Sequence, residues 1–260
     1  MAAYDTLELV VDGAIAHVWL NRPAALNALG PHALDEIADV FGTLQTRFDV
    51  AVVVLGGRGR AFCAGADRKD PPARLTRASG AGPRERRWVS QIGRRAVEAI
   101  ERCEAITVAR LHGHVVGGGV VLALACDLRV AAEGTRFHVP EVDLGIPLTW
   151  GAVPRLAREV GAARAREIIL LCEAFDAAQA AAWNVVHRVV APDALDAAVA
   201  DLTARLAGKA PWALHMTKHQ FQAYAKAAVL GDVTTMDGDL LTAASAEDPM
   251  RFAWTPEKKA

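Results

Sequence analysis

The sequence predicts an α/β fold with an at least partly parallel sheet, and three observations carry that expectation. Two β-branched runs, Ala51 to Leu55 and Ile106 to Leu111, are apolar almost throughout, as expected of strands covered on both faces, and each leads into a glycine-containing loop. Apolar residues at helical spacing separate these runs from other strand-like segments. Finally, 52% of the 260 residues are apolar, enough for one large domain or a main domain with a smaller helical tail.

Taken in order, Leu7 to Val11 and Ile15 to Leu20 are short β-rich runs split by Asp12-Gly13, a hairpin signal. His32 to Phe48 places Leu34, Ile37, Ala38, Phe41 and Leu44 on one helical face. The strand Ala51 to Leu55 ends in Gly56-Gly57-Arg58-Gly59, and Leu128 to Ala131 and Val185 to Val190 read as further strands. From Pro192 onward the chain is helical, with Leu195, Val199, Leu202 and Leu206 at core spacing and with Pro211 and Gly231 dividing it. Residues 1–191 are therefore expected to form the core, and residues 192–260 a helical layer used for subunit packing.

A formal net charge of −1 argues against a general nucleic-acid binder. Cys63, Cys103, Cys126 and Cys172 form no CxxC pair, so buried reduced thiols are expected. The start shows no signal-peptide pattern and no apolar stretch is long enough to span a bilayer, which together predict a cytoplasmic protein. One stretch is strongly basic: Arg68, Lys69, Arg74, Arg77, Arg84, Arg86, Arg87, Arg94 and Arg95 face only Asp70 and Glu85. Pro71-Pro72 and Ser79 to Pro83 mark it as a loop entering a helix. Most of these residues read as a solvated surface, and one or two as an anion site for a phosphate-bearing ligand.

The chemistry concentrates at two glycine turns, Phe62-Cys63-Ala64-Gly65-Ala66-Asp67 and Gly117-Gly118-Gly119, each following a parallel-type strand. Three consecutive glycines let backbone approach a ligand. The apolar run Val120 to Cys126 behind them suits a buried helix whose free N–H groups begin at the glycines. Such donors favour an oxygen that becomes negative during a reaction, which makes this an oxyanion-hole pattern. Within Val139 to Pro147, Glu141 stands among apolar neighbours, a setting that raises a carboxyl pKa toward that of a general base. Asp143, two residues on, points the opposite way if the segment is extended. His112 and His114 read as packing or backbone-bonding groups. His215 and His219 read as part of a surface helix rather than a metal site, since no third ligand is evident.

These residues together resemble the enoyl-CoA hydratase/isomerase (crotonase) superfamily. Asn21-Arg22-Pro23 with Leu26-Asn27-Ala28-Leu29 resembles its NRP…LNAL motif, and Phe62 to Asp67 its F-x-AGAD motif. His112-Gly113 through Gly119 and Ala125-Cys126-Asp127 resemble its NG…GGG…CD block, and Pro140-Glu141 with Leu144-Gly145 follows in register. The resemblance, over roughly residues 7–218, implies a spiral of ββα units, a C-terminal helical trimerisation region and a coenzyme A thioester as substrate, with no other cofactor. It implies a trimer or dimer of trimers. The oxyanion donors fall on the N–H groups of Ala66 and Gly118. Ala25, Leu26, Ala64, Asp67 and Arg68 fall along the CoA groove, Gly117 and Val121 beside the reacting carbons, and Thr149 and Trp150 at the acyl pocket.

One departure from the family pattern sharpens the expectation. Family hydratases carry a second glutamate just after the glycines, where this chain has Val121. Losing one general acid/base costs about 10²–10⁴-fold, which weighs against hydration. A single base at Glu141 suffices to move a proton from C2 of a 3-enoyl-CoA to C4, so isomerisation is expected, with hydration as the alternative. A non-catalytic acyl-CoA- or RNA-binding relative is a second class, disfavoured by the retained Glu141 and the near-neutral charge. A serine hydrolase fails because Ser79, Ser90 and Ser245 stand in no GxSxG turn. A nicotinamide enzyme fails because no GxGxxG follows a first strand.

Overall fold

The computed structural model describes residues 4–72 and 82–228. The chain opens with the expected hairpin, β1 (Leu7–Asp12) and β2 (Ile15–Leu20), then α1 (Pro31–Leu44) and β3 (Val52–Gly57). Next come α2 (Pro83–Ser90), α3 (Ile92–Arg102), β4 (Ile106–Leu111), β5 (His114–Val116), α4 (Gly118–Ala125), β6 (Leu128–Ala132) and β7 (Arg136–His138). The rest is α5 (Ala152–Val160), α6 (Ala162–Leu171), β8 (Phe175–Asp176), α7 (Ala177–Ala182), β9 (Arg188–Val190), α8 (Leu195–Ala207) and α9 (Pro211–Ala228).

The main sheet has the order β1-β2-β3-β4-β6-β9, parallel throughout except for the β1–β2 hairpin. A second, three-stranded sheet has the order β5-β7-β8. One face of the main sheet meets α1, α3 and α4 in a core that includes Phe41, Leu55, Phe62, Ile100 and Leu111. The other face carries Val52, Val54, Val108 and Val130, and α8 covers it with Leu195, Val199 and Leu202. Burial on both faces explains why β3 and β4 read as nearly unbroken apolar runs. All four cysteines are free and buried.

Three boundaries differ from the sequence expectation, each for a local reason. The first helix stops at Leu44, and Phe48 is 84% exposed, so it extends no core stripe. The last strand shortens to Arg188–Val190 because the N–H groups of Val185 and Val186 both bond to the Ala180 carbonyl, closing the turn after α7. The tail from Pro192 onward is helical through Ala228, but its first helix supplies the cover of the sheet's second face rather than a layer apart. α9 is tied on by Lys218, 5% exposed, whose Nζ lies 2.8 Å from both the Ala105 carbonyl and Asp127 Oδ2. Gly231 and the rest of the tail lie outside the described residues. Among the described residues no helix is long and apolar enough to cross a membrane.

Candidate active site

A ladder of backbone hydrogen bonds brings the two glycine turns together. Ala64 N–H donates to the Leu26 carbonyl (2.9 Å), Leu29 N–H to Gly65 (2.8 Å) and Asp67 N–H to Leu29 (2.9 Å). On the other side Cys63 N–H donates to His114 (3.0 Å), Val116 N–H to Cys63 (2.9 Å) and Gly117 N–H to His138 (2.8 Å). The carbonyl carbons and amides of residues 62–67 are thus held between the Leu26–Leu29 segment and β5. A Cβ built on Gly65 would lie 3.7 Å from the Gly118 nitrogen, so the residue just before Ala66 is within contact range of the second donor. Among the described residues neither the Ala66 N–H nor the Gly118 N–H has an acceptor in the protein. Gly118 opens α4, where N–H groups are free by construction and the helix dipole is positive.

Gly117 turns the chain into that helix at φ +48°, a conformation that disfavours any side chain. It also makes room for the base: a Cβ there would lie 2.6 Å from Glu141 Oε1. Glu141 Oε2 is buried with no hydrogen-bond partner among the described residues. Burial pushes its carboxyl up from 4.5 to about 7, only partly opposed by its own backbone N–H, with no charged side chain contributing. A carboxylate so placed is a general base near neutral pH. The segment after it is a turn and not the extended stretch that would aim Asp143 away: Leu144 N–H and Ile146 N–H both return to the Glu141 carbonyl at 3.0 Å, and Asp143 is exposed.

Val121, where the family resemblance puts a second carboxylate, is on the buried α4 and 2% exposed. Trp150 takes the left-handed conformation (φ 60°) in a turn that also contains Gly151 (φ 71°), a strained choice for an indole. Its ring packs against Gly118, where a Cβ would come 3.0 Å from Cη2 and overlap Cζ3. Thr149 is half-buried beside it.

Residues expected along the CoA groove divide into two kinds. Ala25, Leu26 and Ala64 are half-buried backbone positions, and Leu26 and Asn27 are both left-handed (φ 50° and 57°). Asn27 holds that strain in place: its amide donates to the Arg58 and Ala61 carbonyls (2.9 and 2.8 Å) and its oxygen accepts from Arg22 N–H (2.9 Å). Asp67, by contrast, is 6% exposed and committed to the fold: Oδ2 pairs with Arg22 at 2.8 Å and Oδ1 accepts from Lys69 N–H at 2.9 Å. Its carboxylate is therefore spent on the fold, which leaves the backbone of this residue for the expected groove.

The basic stretch divides similarly. Arg94 pairs with Gln91 and Glu98, and Arg95 bonds the Trp88 carbonyl (2.6 Å) with its guanidinium 4.4 Å from the Trp88 ring. Arg68, Arg84, Arg86 and Arg87 are exposed, and Arg74 and Arg77 lie outside the described residues. His219 lies 2.9 Å from Glu104, and His112 Nε2 lies 2.9 Å from the Gly59 carbonyl, so each has a structural contact. Two contributors had no role assigned from the sequence: Gly93, whose bare Cα receives the Trp150 ring, and the buried Arg155, which the sequence marks only as part of the family resemblance (Arg155-Leu156 with Val160-Gly161) and which bonds the Trp150 loop. Neither belongs to a pattern of catalytic residue types.

Two backbone donors without a protein acceptor, one desolvated carboxyl and the Trp150 ring thus come together on an α/β spiral. The profile of the enoyl-CoA hydratase/isomerase family matches residues 11–258. The chain is 34% identical over 228 residues to the peroxisomal Delta(3,5)-Delta(2,4)-dienoyl-CoA isomerase of Arabidopsis thaliana, covering 84% of this chain and 82% of that one. It is 32% identical over 208 residues to the short-chain-enoyl-CoA hydratase of Clostridium acetobutylicum, covering 80% and 77%. Among solved structures, an enoyl-CoA hydratase from Mycobacterium avium subsp. paratuberculosis superposes with a TM-score of 0.85 at 29% identity, covering 97% of this chain and 98% of that one. The chain belongs to the enoyl-CoA hydratase/isomerase family and is an acyl-CoA enzyme of it.

Proposed function

We propose that this enzyme is an enoyl-CoA isomerase in which Glu141 is the sole protein base. A 3-enoyl-CoA binds with its thioester oxygen accepting from the N–H groups of Ala66 and Gly118. Glu141 takes a proton from C2, and the C–H electron pair moves into the thioester to form a dienolate whose oxygen the two donors stabilise. The same carboxylic acid returns the proton at C4, giving the 2-enoyl ester and the starting carboxylate. Each donor of this kind is worth about 3 kcal/mol of barrier.

The observation that carries this reading is that Glu141 is the single carboxyl at the site among the described residues: its Oε1 lies against Gly117, next to the free Gly118 N–H, while buried Val121 stands where the family resemblance puts the other acid. Hydration would need a second group to hold and activate water, and no charged side chain perturbs Glu141. The relatives include both an isomerase and a hydratase by name, so their names alone do not choose. The expected working form is a trimer or dimer of trimers in the cytoplasm, using coenzyme A thioesters and no further cofactor. In support of assembly, α9 presents Trp212 (74% exposed), Phe221 (72%) and Tyr224 (76%) to its surroundings. Incubation with matched 2-enoyl- and 3-enoyl-CoA esters, followed by absorbance and mass spectrometry, tests the reaction. Conversion of 3-enoyl to 2-enoyl ester without gain of water supports it, and a product heavier by one water from the 2-enoyl ester at comparable rate contradicts it.

A further inference from the structure

We propose that Trp150 is the end wall of the acyl site, restricting the enzyme to short acyl groups, and that Arg155 and Glu101 hold it in place. The inference rests on the reading that the thioester oxygen binds at Gly118.

Consecutive residues of one loop face the two groups that define the reacting end. The Cα of Gly117 faces Glu141 Oε1, and the Cα of Gly118 faces the Cζ3–Cη2 edge of the Trp150 indole. An acyl group whose oxygen is held by the Gly118 N–H, and whose C2 reaches Glu141, therefore meets the indole within its next few carbons. The edge it meets carries only C–H groups, so it offers no donor to a water or a polar substituent.

The ring has no room to retreat. Its other side, around Cε2 and Nε1, occupies the place a side chain would take at Gly93 of α3, so the indole is seated between α3 and the first turn of α4. The backbone under it is pinned as well. Arg155, 7% exposed, donates from Nη1 to the Gly151 carbonyl (2.9 Å) and the Trp150 carbonyl (3.3 Å), and from Nη2 to Glu101. Glu101 lies on the same helix as Gly93. One helix thus supplies both the seat of the ring and the anchor of its loop. This arrangement accounts for a left-handed tryptophan, a conformation that persists only where the surroundings over-determine it.

The test is the ratio of kcat/KM for a ten-carbon to a four-carbon 3-enoyl-CoA, which is insensitive to the fraction of correctly folded enzyme. Wild type is expected to favour the four-carbon ester, Trp150→Ala to raise the ratio about ten-fold or more, and Trp150→Phe to fall between. The change should be carried mainly by KM of the long ester. Ratios that agree within about two-fold across all three proteins would overturn the wall, since a lost hydrophobic constraint is worth more than that. Arg155→Met should raise the ratio as Trp150→Ala does, with Arg155→Lys recovering part of the wild-type profile. A lowered Tm in Arg155→Met with a wild-type ratio would reduce the clasp to a structural role and overturn that half. If no ester turns over, the proton-transfer reading fails separately. The same series is then read as dissociation constants by calorimetry: a length break that moves in Trp150→Phe supports the wall, and one that stays overturns it.

Discussion

Asp67 and Glu141 are both largely removed from water near the same pair of backbone donors, yet they have opposite fates. Burial would raise the Asp67 carboxyl, but the Arg22 guanidinium and the N–H groups of Lys69 and Asp70 outweigh it and hold the pKa below the ordinary value. Burial raises Glu141 to about 7 with no such partners to oppose it. Partnered, a buried carboxylate fastens two segments of chain; unpartnered, it becomes a base. The difference lies in the neighbours and not in the residue type.

The largest expected effect separates the two by activity. Glu141→Gln keeps the shape but not the base, so turnover of a 3-enoyl-CoA should fall about 10²–10⁴-fold while acyl-CoA affinity by calorimetry stays close to wild type. A loss under ten-fold would place the chemistry elsewhere.

Stability separates them next, with opposite signs. The folded-state pKa of Glu141 is raised, so the folded protein holds a proton that the unfolded chain releases between 4.5 and about 7. Its contribution is therefore lost as pH rises through that window. Glu141→Gln should stabilise the fold by up to about 3 kcal/mol at pH 8 and by little at pH 4, read by denaturant unfolding. Asp67 is the reverse: its lowered pKa supplies stability above 3.8 that is lost as pH falls through the folded value. Asp67→Asn leaves Arg22 facing a neutral amide and should cost about 2 kcal/mol at pH 7, discounted because the Arg22 side chain is 33% exposed. Equal pH slopes for the two variants would break the comparison.

A smaller effect concerns the basic stretch. If exposed arginines such as Arg68, Arg84, Arg86 or Arg87 meet the CoA phosphates, affinity for free CoA should weaken several-fold between about 0.05 and 0.5 M salt. Salt-independent binding would restrict these residues to the solvated surface.

Much of this was legible in the sequence because backbone chemistry leaves residue-type signatures. Gly117-Gly118-Gly119 mark where backbone packs too closely for side chains, against Glu141, Trp150 and Cys63, and Glu141 stands out as an acid among apolar neighbours. The main-sheet strands β3 and β4 were readable because both their faces are buried. The second sheet was not: β7 has three residues and β8 two, too short for any periodicity to register. The fixation of Asp67 depends on Arg22, 45 positions away, and Trp150's place on Gly93 is likewise a contact between distant segments. Neither is written in local pattern.

Isotope exchange tests most directly whether Glu141 is the sole protein base. With a 3-enoyl-CoA in heavy water, the protonated Glu141 exchanges with solvent over repeated reversible turnovers, so wild type should place deuterium at C2 and C4, with the rate rising as pH passes through about 7 while Glu141 ionises. In Glu141→Gln both positions should stay protiated over the same interval. Undiminished exchange in that variant would contradict the account.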